Sequence, residues 1–218
     1  MKLIHSFGPN PRIVRMFMAE KGITVPSEEV DILAGENRQP AFLKRNPIGQ
    51  SPALELDNGV VVGETATICG YLEEKFPNNG PSLFGKTPEE RAVASSWQRR
   101  VELNITEYMY NGFRFAEGIE LFKNRVHCIP AAAADLKAAA QEKLAWLDDL
   151  MGSNQFICGN ELRFTDISMY CCLDFAKDVG QPLNPALKNV SAWFKRMDAR
   201  PSATSSLHPG AAQAKMRG

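Results

Sequence analysis

Signals for β-strand are confined to the first third of this 218-residue chain, and no other feature restricts its fold as much. Leu3-Ile4 is a short apolar run. Val30 and Ile32 alternate with Glu29 and Asp31 at the strand period of two. Ala53-Leu54-Glu55-Leu56 and Val60-Val61-Val62 flank Asp57-Asn58-Gly59, a tight-turn sequence, and predict a hairpin. Helical periodicity is interleaved with these runs. Residues 11–21 put Ile13, Val14, Phe17 and Met18 on one face and stop at Gly22, a good helix-ending residue. A second helix near 65–76 carries Ile68, Leu72 and Phe76.

The order β-α-β, hairpin, helix is that of a thioredoxin-like fold, with a parallel strand pair expected from its first three elements. Residues 77–87 are rich in turn-formers (Pro77, Asn78, Asn79, Gly80, Pro81, Gly85) and read as a connection. Beyond it every signal is helical. Thr87-Pro88-Glu89-Glu90 is a helix start, with Thr as cap, Pro at the first helical position and Glu90 placed to close a capping box. Pro130 opens another helix, with Leu136, Leu144, Leu147 and Met151 in register and Gly152 as stop. A third runs from Asp166 to Val179 before Gly180, and a last one over 185–199 before Arg200-Pro201. The fold class is therefore α/β plus all-α: a thioredoxin-like domain over 1–78, a linker over 79–87, and a helical bundle over 88–218.

Charge excludes some partners. Lys plus Arg equals Asp plus Glu, 25 each, so no whole-molecule field draws the chain to nucleic acid or to an anionic membrane. The five cysteines form no C-x-x-C pair, and no histidine stands beside them at ligand spacing, so no metal site is expected. Their odd number and scatter suit reduced thiols. The start Met1-Lys2-Leu3-Ile4-His5 lacks the apolar core of a signal peptide, and no apolar run approaches the ~18 residues of a membrane span. The expectation is a cytoplasmic protein.

Several segments then carry a resemblance. Ser6-Phe7-Gly8-Pro9-Asn10-Pro11-Arg12-Ile13-Val14-Arg15, ending in Ala19-Glu20-Lys21-Gly22-Ile23, is similar to the first loop and helix of glutathione transferases. Asn46-Pro47-Ile48-Gly49-Gln50-Ser51-Pro52-Ala53-Leu54 resembles their N-P-x-G-Q-V-P-A-L segment. Val62-Gly63-Glu64-Thr65-Ala66-Thr67-Ile68 resembles their glutamate-serine turn with Thr in place of Ser, and Tyr71-Leu72-Glu73 follows in register. Trp193-Phe194 and Ala199-Arg200-Pro201 look like the closing helix. The matches span nearly the whole chain in order, and the G-P-x-P loop looks closest to a fungal and bacterial branch.

The resemblance implies a glutathione site. Pro52 would be cis, and Ser51 before it would offer its main-chain N–H and C=O to the cysteinyl part of glutathione, like an added strand. Glu64 and Thr65 open a helix whose free N–H groups suit the γ-glutamyl carboxylate, with Glu64 taking the α-ammonium. Arg38 and Gln50 are candidates for the glycyl carboxylate, with Asn37 and Lys44 as competitors for that role.

The reacting group is the glutathione thiol. A free thiol has a pKa of about 8.5, so activation requires a donor that stabilises the thiolate. The first loop offers Asn10, Ser6 and main-chain N–H groups, with a water held by the second domain as a further alternative. Asn10 falls where the bacterial beta class has a cysteine, and it resembles the asparagine of disulfide-reducing transferases, with Gly8 in place of their Thr. Asn10 also suits a plain helix cap before Pro11.

In the second domain Tyr108, Tyr110, Asn111 and Arg114 are candidates for the co-substrate pocket; Tyr108 with Asn111 and Tyr110 with Arg114 have spacings that share a helix face. Asp166 reads as a buried helix cap. The implied activity is glutathione transfer to an electrophilic carbon, or to a peroxide or disulfide. Glutathione is then the co-substrate, a hydrophobic electrophile the second substrate, and a homodimer the expected assembly. A non-catalytic interaction module and a glutathione-dependent isomerase or dehalogenase are the alternatives.

Overall fold

A computed structural model describes residues 1–211. The chain packs as two units, one made of Met1–Ser82 together with the described residues from Pro201, the other of Leu83–Arg200.

The first unit begins with β1 (Lys2–His5), α1 (Pro9–Lys21) and β2 (Ser27–Glu29). A single turn over Glu36–Arg38 and α2 (Pro40–Arg45) lead to β3 (Ala53–Glu55), β4 (Val61–Val62) and α3 (Thr65–Lys75). The sheet order is β2-β1-β3-β4. β1 and β2 are parallel with Leu3 opposite Ser27, β1 and β3 antiparallel with Ile4 opposite Ala53, and β3 and β4 antiparallel. This is the thioredoxin-like arrangement. Alternation sends Ile4 and Ala53 to one face, where Phe42 of α2 and Val30 join them. Leu3 and Leu54 go to the other.

β2 lies earlier than the Val30–Ile32 alternation predicts. The Asp31 carboxylate accepts the N–H groups of Leu33 and Ala34, both at 2.9 Å, and this local turn takes the chain off the sheet edge. The Val30 N–H still reaches β1, at the His5 carbonyl.

The C-terminal segment belongs to this unit through buried cations. Arg12, with no exposed surface, donates to the Ala203 carbonyl at 2.9 Å and to Ser206 Oγ at 3.3 Å. Arg15 bridges the carbonyls of Ser6 and Ser206. α10 (Pro201–Ser205) is thus held on α1, whereas the sequence grouped residues beyond 200 with the helical half.

The second unit is helical. α4 (Pro88–Val101) starts as predicted, with Thr87 Oγ1 accepting the Glu90 N–H at 3.2 Å. The return half of the box differs: the Glu90 carboxylate takes the N–H of Lys86, one residue before the cap, at 2.8 Å. A wide π-turn over Glu102–Thr106 separates α4 from α5 (Glu107–Arg114). α6 (Ile119–Phe122), α7 (Ala133–Met151), α8 (Phe164–Ala176) and α9 (Lys188–Asp198) complete it. Every residue of α8 is buried, so α8 is the core of the unit. Asp166 secures its start by accepting from the N–H groups of Arg163 at 2.8 Å and Ile157 at 2.9 Å, and from the Trp193 indole at 2.8 Å. The guanidinium of Arg163 has no acceptor atom, so Asp166 alone supplies the side-chain cap. No helix among the described residues is long and apolar enough to cross a membrane.

Candidate functional site

A concave pocket on the first unit gathers residues from three separate segments. Asn10 comes from α1, Ile48, Gln50, Ser51 and Pro52 from the loop before β3, and Gly63, Glu64 and Thr65 from the β4–α3 turn. Asn46 completes the lining.

The start of α1 explains how Asn10 comes to be there. The cap position is Gly8, whose φ of 116° suits glycine, and Pro9 takes the first helical position. Asn10 is one residue further on, and no side chain caps the helix. The capping alternative for Asn10 is thereby removed, and its amide is left at the pocket wall beside the positive end of α1. Ser6 is 1% exposed and outside the lining; its carbonyl accepts from Arg15 at 2.9 Å.

The Ser51–Pro52 peptide is cis. Ser51 Oγ is buried with no hydrogen-bond partner, and the Ser51 main chain pairs with no other described residue. An edge of this kind accepts an extended peptide by main-chain pairing.

On the opposite side, α3 begins at Thr65 with no side-chain cap. The first intrahelical bond is from Ile68 N–H to the Glu64 carbonyl at 2.9 Å. The N–H groups of the preceding turn therefore have no partner within the helix, and they carry its partial positive charge. Glu64 itself has φ 65° and ψ 124°, the one non-glycine at positive φ among the described residues. Such a conformation costs of order 1–3 kcal/mol and collects at ligand sites.

Arg38 lies near but not in the lining. Its Nη1 donates to the Ile48 carbonyl at 3.2 Å, and its Nε is buried without a partner. Lys44 is exposed on α2. Asn37 is buried, with Nδ2 donating to the Gly49 carbonyl at 2.6 Å. Asn46 donates to the Gln50 carbonyl at 2.8 Å. The sequence reading quoted Asn46 only as the start of a motif and gave it no role. Its place at the head of N-P-x-G-Q is the available signal, since a side-chain hydrogen bond four residues ahead leaves no periodicity.

The co-substrate candidates stand on α5. Arg114 Nη1 donates to Asn111 Oδ1 at 3.0 Å, Asn111 Nδ2 donates to Glu107 at 2.7 Å, and the Arg114 guanidinium lies 5.7 Å over the Tyr110 ring. The helix-face pairing of Tyr110 and Arg114 is therefore present. Tyr110 itself turns into the packing: its ring is 6.3 Å from Phe175, and its buried hydroxyl lies beside the Cys172 thiol without a hydrogen bond of normal geometry. Burial pushes that hydroxyl well above its usual pKa of 10 and the Cys172 thiol up to about 12, so both stay protonated at neutral pH. Tyr108 is half-buried on the same helix. Among the described residues no group of His, Cys, Asp and Glu is arranged to hold a metal.

Comparison with known proteins agrees with this architecture. Residues 7–75 match the family "Glutathione S-transferase, N-terminal domain" and residues 130–196 match "Glutathione S-transferase, C-terminal domain". Glutathione S-transferase 2 of Saccharomyces cerevisiae is 29% identical over 202 residues, 89% of this chain and 84% of that protein. Dichloromethane dehalogenase of Methylophilus leisingeri is 30% identical over 215 residues, 90% of this chain and 75% of that protein. The crystal structure of a glutathione S-transferase domain-containing protein from Marinobacter aquaeolei VT8 superposes with a TM-score of 0.86 at 34% identity, covering 93% of this chain and 99% of that one. The chain belongs to the cytosolic glutathione S-transferase superfamily.

Proposed function

We propose that the pocket binds glutathione and activates its thiol as thiolate for attack on an electrophile. The carrying observation is the convergence of the Asn10 amide, the free Ser51 main chain and the uncapped start of α3 on one cavity. The tripeptide has a matching set of groups. Its γ-glutamyl carboxylate suits the α3 N–H groups and the Thr65 hydroxyl, and its ammonium suits Glu64. Its cysteinyl amide pairs with Ser51, which brings the sulfur toward Asn10 and the start of α1. Gln50 and Arg38 lie on the side left for the glycyl carboxylate.

An asparagine amide donates a hydrogen bond and takes no proton at neutral pH. Asn10 therefore lowers the thiol pKa by stabilising the anion, and the proton leaves to solvent. The thiolate then forms a bond to the electrophilic carbon while the leaving group departs with its electron pair; a peroxide or disulfide would be attacked at oxygen or sulfur, breaking the O–O or S–S bond and releasing an alkoxide (or hydroxide) or a thiolate. Ser6 is buried, with its carbonyl held by Arg15, and so has a structural role. Tyr108, Asn111 and Arg114 would face the co-substrate, with Tyr110 holding Arg114 through its ring. The five cysteines are free thiols, in keeping with a cytoplasmic protein. A homodimer rests on family membership alone.

The decisive test is a calorimetric titration of glutathione into the purified protein, with thiolate absorbance followed across pH. Binding with a bound-thiol pKa well below the free value supports the reading, and haloalkanes, peroxides and disulfides are then screened as co-substrates. No binding at millimolar glutathione would instead leave a non-catalytic interaction module.

A further inference from the structure

Two buried amides grip consecutive carbonyls of the loop that carries Gln50 and Ser51. Asn37 holds the Gly49 carbonyl at 2.6 Å, and Asn46 holds the Gln50 carbonyl at 2.8 Å. They come from different elements, Asn37 from the turn Glu36–Arg38 and Asn46 from the end of α2. Both are secluded from water, at 3% and 8% exposure. Since each acceptor is a carbonyl, each side chain must present its NH₂ group.

Peptide planarity turns this grip into a directional constraint. Among the described residues the cis bond is Ser51–Pro52, so the Gly49–Gln50 and Gln50–Ser51 peptides are trans. In a trans peptide the C=O and the following N–H point in opposite directions. Holding the Gln50 carbonyl on Asn46 therefore turns the Ser51 N–H away from Asn46, and holding the Gly49 carbonyl on Asn37 does the same for the Gln50 N–H. The close fit of the loop agrees. Gly49 sits at φ 64°, where a Cβ would lie 2.8 Å from the Asn37 carbonyl oxygen and 2.9 Å from Leu43 Cδ2.

We propose that Asn37 and Asn46 are positioning residues of this site, two amide clamps from separate elements: Asn46 aims the Ser51 N–H at the ligand's main-chain carbonyl before the ligand arrives, and Asn37 fixes the peptide plane that precedes it. The proposal rests on the glutathione reading above. Without the clamps the loop would have to order its peptide planes on binding, and that entropy would be taken from affinity. Each clamp acts on affinity through the loop backbone that it holds.

The test pairs variants with two ligands. Asn37→Ala and Asn46→Ala are titrated calorimetrically with S-methylglutathione and with its analogue in which an (E)-alkene replaces the Cys-Gly amide, removing the carbonyl that the Ser51 N–H would meet. The expected result is a loss of about fivefold or more for the natural backbone in each variant, from one weakened donor, with the alkene analogue binding variants and wild type within about twofold. Asn37→Leu and Asn46→Leu keep the approximate side-chain size but cannot donate, and they replace the alanine variants where those fold poorly.

Equal losses for both ligands would mean a general structural role and overturn the proposal, as would unchanged affinity. A wild-type protein that binds neither ligand would overturn the glutathione reading itself, an outcome distinct from variants that match a binding wild type.

Discussion

The indole N–H of Trp193 donates to Oδ1 of Asp166 at 2.8 Å, so a residue of α9 closes the cap of α8 from 27 positions away. The same oxygen takes the Ile157 N–H and the other oxygen takes the Arg163 N–H. Burial pushes the Asp166 carboxyl up to about 6, and the three N–H donors oppose that rise. A carboxyl raised in the folded state binds its proton more tightly there than in the unfolded chain. Its contribution to stability is thus full below about 4 and declines as pH rises through about 6. Asp166→Asn has one acceptor oxygen for three donors and should lose about 2–4 kcal/mol at neutral pH. Urea unfolding at pH 4 and pH 7 checks both points: the wild-type advantage over the variant should be larger at pH 4. A pH-independent difference would place the titration elsewhere.

Glu64 combines a strained backbone with a place in the pocket lining. Glu64→Ala should weaken glutathione by about tenfold or more, the range for one charge-assisted hydrogen bond. Glu64→Gly should weaken it likewise and yet raise folding stability by about 1 kcal/mol, because glycine tolerates positive φ. Calorimetric binding and thermal melting of both variants separate these effects. Unchanged affinity in either variant would count against the site.

Asn10 is tested through the thiol. Asn10→Ala should raise the pKa of bound glutathione by about one unit, equivalent to ~1.4 kcal/mol of lost thiolate stabilisation, with a smaller change in affinity. The absorbance of the bound thiolate, titrated from pH 5 to 9, reads this directly. A bound-thiol pKa that stays put would give the activation to the N–H groups at the start of α1.

Arg12 and the C-terminal segment form one buried assembly. Ser206→Ala should cost about 1 kcal/mol, and Arg12→Ala about 3 kcal/mol from the buried volume and the carbonyl it abandons. Chemical denaturation measures both. Losses of equal size in the two variants would show that Arg12 is anchored by something other than these contacts.

The elements legible from sequence were those whose signal is local. Gly22 after an amphipathic run, Thr87-Pro88 before α4, Gly152 and Gly180 after α7 and α8, and the Asp57-Asn58-Gly59 turn each act within a few residues, so composition reveals them. β2 was misjudged by three residues because Val30–Ile32 does alternate, and the side chain of Asp31 ended the strand by a turn that alternation does not register. The π-turn at Glu102–Thr106 leaves helical propensity unbroken and is invisible in it. Much of the candidate site was legible for the same local reason: Gln50-Ser51-Pro52 and Glu64-Thr65 are contiguous motifs, and Asn10 lies in a short loop.

The chain's own order of residues determined that a thioredoxin-like half precedes a helical one, that a turn with Pro52 and a helix start at Thr65 exist, and which side chains near them carry useful chemistry. Tertiary structure decided what those groups face. It turned Tyr110 into the packing, moved the cap of α1 to Gly8 so that Asn10 meets the pocket, hung the segment after Pro201 on Arg12, and set Asn37 and Asn46 beneath the loop they hold. Each of these outcomes depends on where distant backbone groups come to lie, a relation between segments that neither helical nor strand periodicity encodes.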